Sequence, residues 1–178
     1  QGGKTTLLAQ LETLLGSGTV DRSGEGSTGG GESQPPPTRG MGSTTLTVHR
    51  RVRTRCACPN TKSVVFREIG GTFQVLWEKR LPLCRGVMFV MDLGNLSKVA
   101  EACVECSRLL LEWPDKPLLL VCNKGDLPHA ISVEEVLEGM VLPENCTTFS
   151  WLRCCALDDS TAELQEKGIA WLAQHIMQ

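Results

Sequence analysis

No apolar run in the 178 residues approaches the roughly 20 that a membrane-spanning helix needs, and no secretory leader is expected. Neither sign of charge dominates. The 18 basic and 20 acidic residues leave a formal net charge of −2, which gives no general attraction to nucleic acid or to an anionic membrane surface. No internal repeat is present. Methionine is missing from position 1, so the expectation is an N-terminally truncated sequence whose targeting or lipidation signals lie out of view. Cysteine, by contrast, is abundant. Nine of them, an odd count without a leader, speak against a disulfide framework and for a reducing compartment. Cys122 closes the apolar run Leu118-Leu119-Leu120-Val121-Cys122 and reads as a small core hydrophobe. Cys56-x-Cys58 and Cys103-x-x-Cys106 have zinc-like spacing. The first, however, falls in an expected hairpin turn at Cys58-Pro59-Asn60, and Cys103 shares an apolar helical stripe with Val99 and Leu110.

Length gives a prior of about one domain, and residues 1–178 are read as one. Leucines at 7, 8, 11, 14 and 15 carry a helical period from Lys4 to Leu15, ending at Gly16. From Gly16 to Gly42 the composition turns to Gly, Ser, Thr and Pro. Such a stretch buries too little apolar surface to offset its ordering entropy, so a flexible insert is expected. Leu46–Arg53 and Ser63–Ile69 read as an antiparallel hairpin at a sheet edge, its arginines 50, 51, 53 and 55 protecting that edge by charge. A short irregular or helical piece carrying Trp77 runs to about Leu83. Gly86–Asp92 is a buried strand ending in a carboxylate, Leu96–Trp113 an amphipathic helix, and Pro117–Cys122 a second buried strand. Ser132 heads a helix with Glu134 and Glu135 in its first turn, Thr147–Arg153 is the last strand, and Ala162–Met177 the last helix. Strands alternating with helices predict an α/β fold, a doubly wound and mainly parallel sheet with ligands at the strand carboxyl ends.

Two stretches carry chemistry. Gly2-Gly3-Lys4-Thr5-Thr6 reads as the second half of a phosphate loop, G-x-x-x-x-G-K-[ST], running into a helix. Gly3 admits the backbone close to a phosphate, the helix amides point at the anion, Lys4 reaches the β- and γ-phosphates, and the Thr5 hydroxyl suits Mg2+. The first glycine of that pattern and the strand before it are missing. Asn123-Lys124-Gly125-Asp126 follows a buried strand directly. A carboxylate at Asp126 can accept from both N1–H and the N2 amino group of guanine, a donor pair that adenine lacks. Asn123 would brace the loop, and the Lys124 stem would cover the ring.

With these pieces, the chain resembles the Arf-like branch of the small GTP-binding proteins, as a divergent member. The resemblance runs from Gly3 to the C-terminus apart from the insert. It rests on Gly3-Lys4-Thr5-Thr6-Leu7-Leu8, Arg67-Glu68-Ile69-Gly70-Gly71 followed by Leu76-Trp77, Gly86 through Asp92, Asn123-Lys124-Gly125-Asp126-Leu127-Pro128, and Cys155-Ala156 ahead of Trp171-Leu172. It implies the phosphate-loop GTPase fold with its first strand missing, helices on both sheet faces, and a cytoplasmic GTP/GDP switch that takes Mg2+. By resemblance Lys4 is the phosphate lysine, Thr5 a Mg2+ ligand, and Thr6 a further phosphate contact. Gly71 supplies the amide that senses the γ-phosphate, and Asn123, Lys124 and Asp126 read the base. The backbone at Cys155 and Ala156 meets guanine O6. The implied partners are effector and regulator proteins reading two switches, 16–45 and 68–83. Membrane contact would come only through a segment preceding Gln1.

Three departures bear on mechanism. Glu68 stands where the family has Asp, a methylene longer, and would reach Mg2+ through a water. Thr72 occupies the place of the water-positioning glutamine, and its hydroxyl is too short for that task, so intrinsic hydrolysis should be slow and no catalytic residue is assigned. For the first switch Thr38, Thr44 and Thr45 all remain candidates. The alternative is a pseudo-GTPase that binds protein partners without turnover. A small-molecule kinase fits poorly, since nothing resembles an acceptor lid.

Overall fold

Leu118-Leu119-Leu120-Val121-Cys122-Asn123 carries no charge and has bulky side chains on both of its faces, a pattern that only a strand covered from both sides satisfies. In the computed structural model, which describes residues 4, 6–7, 41–48, 62–69, 74–155 and 164–176, every one of these six residues is buried. They form β4 (Leu118–Asn123), the centre of a three-stranded parallel sheet. It pairs on one side with β3 (Val87–Asp92) and on the other with β5 (Phe149–Cys154). The sequence placed these strands at 86–92, 117–122 and 147–153, so each is displaced by at most two residues.

Alternation along β4 divides the core in two. Leu118, Leu120 and Cys122 face a cluster with Val99, Cys103 and Leu110 from α2 (Leu96–Glu112) and with Val133 and Val136 from α3 (Val133–Glu138). Leu119 and Val121 face the opposite side, against Leu152, Cys154, Leu164, Ile169 and Leu172. The last two segments there are a π-helical turn, Leu164–Ile169, continuing into α4 (Ala170–Ile176). Helices therefore cover both faces of a parallel sheet, the doubly wound α/β arrangement that the strand–helix alternation implies. Leu7 is fully buried in this second cluster. Lys4 and Thr6 beside it also have a helical backbone.

The hairpin stands as a separate two-stranded sheet among the described residues. Here β1 (Met41–Val48) pairs antiparallel with β2 (Lys62–Ile69), Met41 opposite Ile69 and Val48 opposite Lys62. The first strand thus begins five residues before the expected Leu46, taking in Met41 and Gly42, which the sequence assigned to the insert. Ser43, Thr44 and Thr45 satisfy their backbone in a ladder as readily as in a loop, and threonine favours the extended chain. Phe66 ties β2 to the core by packing against the Leu119 and Val121 cluster. The turn at Cys58-Pro59-Asn60, the insert before residue 41 and the arginines at 50–55 lie outside the described residues.

Local signals shape the connections. After β2 comes α1 (Gln74–Arg80), ending in a 3-10 turn at Leu81–Leu83; its Trp77 meets Phe89 of β3 edge to face at 6.1 Å. Ser132 caps α3 reciprocally with Glu135. The serine oxygen accepts from Glu135 N–H at 3.2 Å, and the Glu135 carboxylate accepts from Ser132 N–H at 3.0 Å. The Ser132 hydroxyl, donating to the Glu135 carboxylate at 2.7 Å, and then the Ser132 N–H hold that carboxyl below its ordinary range. Ser107, buried in α2, donates to the Cys103 carbonyl at 2.8 Å and accepts from Val141 N–H at 2.9 Å, pinning the chain beyond α3 onto α2.

Cys103 and Cys106 lie buried on the inner side of α2 against Cys122. Burial pushes the thiols of Cys106 and Cys122 up to about 12, with the neighbouring thiols adding to the shift, and raises that of Cys103. Among the described residues no group of three or more His, Cys, Asp or Glu is placed to hold a metal, and no helix is long and apolar enough to cross a membrane.

Because Leu120 is fully buried between α2 and α3, Leu120→Ala should destabilise the fold by about 2–5 kcal/mol, read as a lower urea midpoint. On acidification through the folded pKa of Glu135, the reciprocal cap should be lost. The check is a downward step in thermal midpoint below the ordinary carboxylate range that Ser132→Ala abolishes.

Candidate functional site

Register decides which residues meet at the end of the sheet. Asp92 pairs with Asn123, and Asn123 with Cys154, so β3, β4 and β5 finish level with one another. Asn123 is fully buried there, and the Cys154 thiol donates to its Oδ1 at 3.8 Å. The Asn123 carbonyl accepts from Leu93 N–H at 3.0 Å, carrying the ladder one step past β3.

Beyond Asn123 the chain turns sharply. Lys124 adopts a left-handed backbone with φ of 61°, a strained choice for a residue with a long side chain. Its side chain shows what holds it there. Lys124 Nζ lies 2.8 Å from Asp92 Oδ2, while Asp92 Oδ1 accepts from Gly94 N–H at 3.1 Å. The carboxylate that closes β3 therefore fixes both its own turn and the lysine of the neighbouring strand. A Cβ at Gly94 would come 2.5 Å from Leu127 Cδ1, so a side chain there would push the leucine methyl aside. Leu127 N–H donates to the Lys124 carbonyl at 3.3 Å, completing the turn, and Ala130 N–H donates to Leu127 at 3.0 Å. On the other side, the Arg153 guanidinium donates to the Gly125 carbonyl.

The resulting loop has distinct parts. Asn123 is buried and hydrogen-bonded, the Lys124 head is anchored on Asp92 with its methylene stem in view, and the Asp126 carboxylate is exposed at the rim. An exposed carboxylate on a braced loop can accept a pair of parallel donors from a flat ligand, and an anchored lysine stem offers that ligand an apolar surface.

The other expected site residues divide into four groups. Cys155 follows β5 directly and is buried, level with the Asn123 loop. Lys4 and Thr6 are half-buried on a helical backbone whose Leu7 packs on the Val121 and Cys154 face. Glu68 is half-buried at the end of β2, opposite Gly42, and Thr44 and Thr45 lie in the β1 ladder opposite Phe66 and Val65. Gly3, Thr5, Thr38, Gly71, Thr72 and Ala156 lie outside the described residues.

Asp92 and Arg153 were assigned no role from the sequence. For Asp92 the signal was present, a lone carboxylate terminating an apolar strand; nothing local marked Arg153. Freed of Asp92, the left-handed turn at Lys124 loses its brace. Asp92→Ala should speed amide exchange across 123–127. It should cost less than about 1 kcal/mol of global stability, since the ion pair is part-exposed.

The profile of the ADP-ribosylation factor family matches residues 33–176, most of the chain and all of the sheet described above. The human ADP-ribosylation factor-like protein 16 is similar over 179 aligned positions at 28% identity, covering 96% of this chain and 79% of that protein. The profile begins after the Lys4 segment and spans the hairpin, the parallel sheet and the Asn123 loop. This chain belongs to the ADP-ribosylation factor family of small GTP-binding proteins.

Proposed function

We propose that the protein is a guanine-nucleotide switch of the Arf-like type, loading GTP or GDP with Mg2+ in the cytoplasm and presenting nucleotide-dependent surfaces to effectors and regulators. The observation that carries this reading is the level ending of Asp92, Asn123 and Cys154, which puts a braced Asn-Lys-Gly-Asp loop at the carboxyl edge of the parallel sheet. Asp126 accepts from guanine N1–H and the N2 amino group, Lys124 covers the ring with its stem, and Asn123 holds the loop to β5. Cys155 and Ala156 offer backbone amides to O6. Lys4, with Gly3 and Thr6, holds the phosphates at the start of the first helix, and the Gly71 amide senses the γ-phosphate.

The donor set fits Mg2+ chemically, because the Thr5 hydroxyl and the Glu68 carboxylate, acting through water, are both hard oxygen ligands. When bound, that ion would neutralise phosphate charge. The residues' own task is to bind and orient the nucleotide. Thr72 cannot hold a water in line as a glutamine amide would, so hydrolysis is slow and the loaded state long-lived. The same residue supports the alternative of a pseudo-GTPase that engages partners without turnover.

Asp126→Asn should weaken GDP binding by roughly 10²-fold or more, as two charge-assisted hydrogen bonds are lost, and should remove the preference over adenine nucleotides. Unchanged selectivity in a competition assay would overturn the base-reading role. Single-turnover measurements should show slow GTP cleavage that Thr72→Gln accelerates roughly tenfold or more. Nucleotide binding without cleavage in either protein would favour the pseudo-GTPase.

A further inference from the structure

We propose that Arg153 is a positioning residue for guanine recognition, a clasp from β5 that sets the Gly125–Asp126 peptide and that stays closed only with glycine at 125. The inference rests on the guanine reading given above and deepens it.

Position comes from register. Arg153 pairs with Cys122 in the β4–β5 ladder, one step before Cys154 meets Asn123. Its neighbours Leu152 and Cys154 are both buried in the cluster around Val121, so the strand's alternation turns Arg153 to the other side, where it is exposed. From there its guanidinium reaches over the sheet edge and donates to the Gly125 carbonyl. That carbonyl belongs to the same planar unit as the Asp126 amide nitrogen, so fixing it orients the backbone from which the base-reading carboxylate springs.

The space at Gly125 supplies the second observation. A Cβ built there would collide with Arg153 Nε and would lie 3.0 Å from its Cδ and 3.1 Å from its Cγ. Its backbone does not occupy the left-handed region; in this turn it is Lys124 that does. Conformational freedom therefore does not explain glycine at 125. The reason is the arginine stem lying across it. Any side chain at 125 displaces Arg153, and the clasp opens. The loop is thus gripped twice, at Lys124 by Asp92 from β3 and at Gly125 by Arg153 from β5.

Two residues acting through one contact must be non-additive when both are changed. The test uses the full chain loaded with fluorescent GDP, comparing wild type, Arg153→Ala, Gly125→Ala and the double variant. Dissociation rates are measured for GDP and for inosine diphosphate, which lacks the 2-amino group. Arg153→Ala should raise GDP dissociation roughly tenfold and narrow the GDP-to-inosine-diphosphate ratio by about threefold or more. Gly125→Ala should do the same, and the double variant should be no worse than either alone. Arg153→Lys, which keeps the stem and a donor, should fall between wild type and Arg153→Ala. Because the side chain is exposed, the thermal midpoint should hold within about 2 °C. A purely structural role would lower that midpoint and leave the nucleotide ratio untouched. Full additivity, or an unchanged ratio in Arg153→Ala with a guanine-selective wild type, overturns the clasp alone. A wild type without guanine preference overturns the guanine reading and the clasp with it.

Discussion

A strand whose side chains are buried on both faces has no freedom to slide. Shifting β4 by one residue would exchange Leu118, Leu120 and Cys122 with Leu119, Val121 and Asn123, and would drive the Asn123 amide into the apolar cluster under α2. Everything at the sheet edge follows from that constraint. β3 and β5 take their register from β4, their ends fall level with it, and Asn123 becomes the last buried residue before the chain reaches solvent. The left-handed Lys124 is then affordable because two neighbouring strands brace the loop, each through one side chain.

The core and the base loop could be read in advance for the same physical reason. Apolar runs of strand length separated by helix-length amphipathic segments have few folded solutions, and Asn-Lys-Gly-Asp after such a run specifies both where a loop lies and what it offers. Ser132 with Glu135 was legible as a helix start because capping is a local affair of residues three apart. Asp92 was half legible. Its carboxylate was visible at the end of an apolar run, but its partner lies 32 positions along the chain, since Lys124 follows Asp92 by 124 − 92. Arg153 was not legible at all, because its contact with Gly125 depends on the β4–β5 register, which a single sequence does not state.

The hairpin illustrates the opposite situation. Gly-rich and threonine-rich sequence between 38 and 48 suits a loop and an edge strand about equally, and what decides is pairing with Lys62–Ile69. The ladder reaches back to Met41, so Thr44 and Thr45 have backbone partners in β2. A role for either in a first switch would require that ladder to open or their side chains to act from within it. Phe66, packed against the Leu119 and Val121 cluster, links this sheet to the core.

The thiols under α2 carry a chemical corollary. Nucleophilic attack on peroxide or on an alkylating probe proceeds through the thiolate, and groups pushed up to about 12 hold almost none of it at neutral pH. Buried as well, Cys106 and Cys122 should react slowly while the sheet is intact. Their appearance in a covalent-labelling experiment would report that α2 had lifted from β4, making them a built-in gauge of core opening.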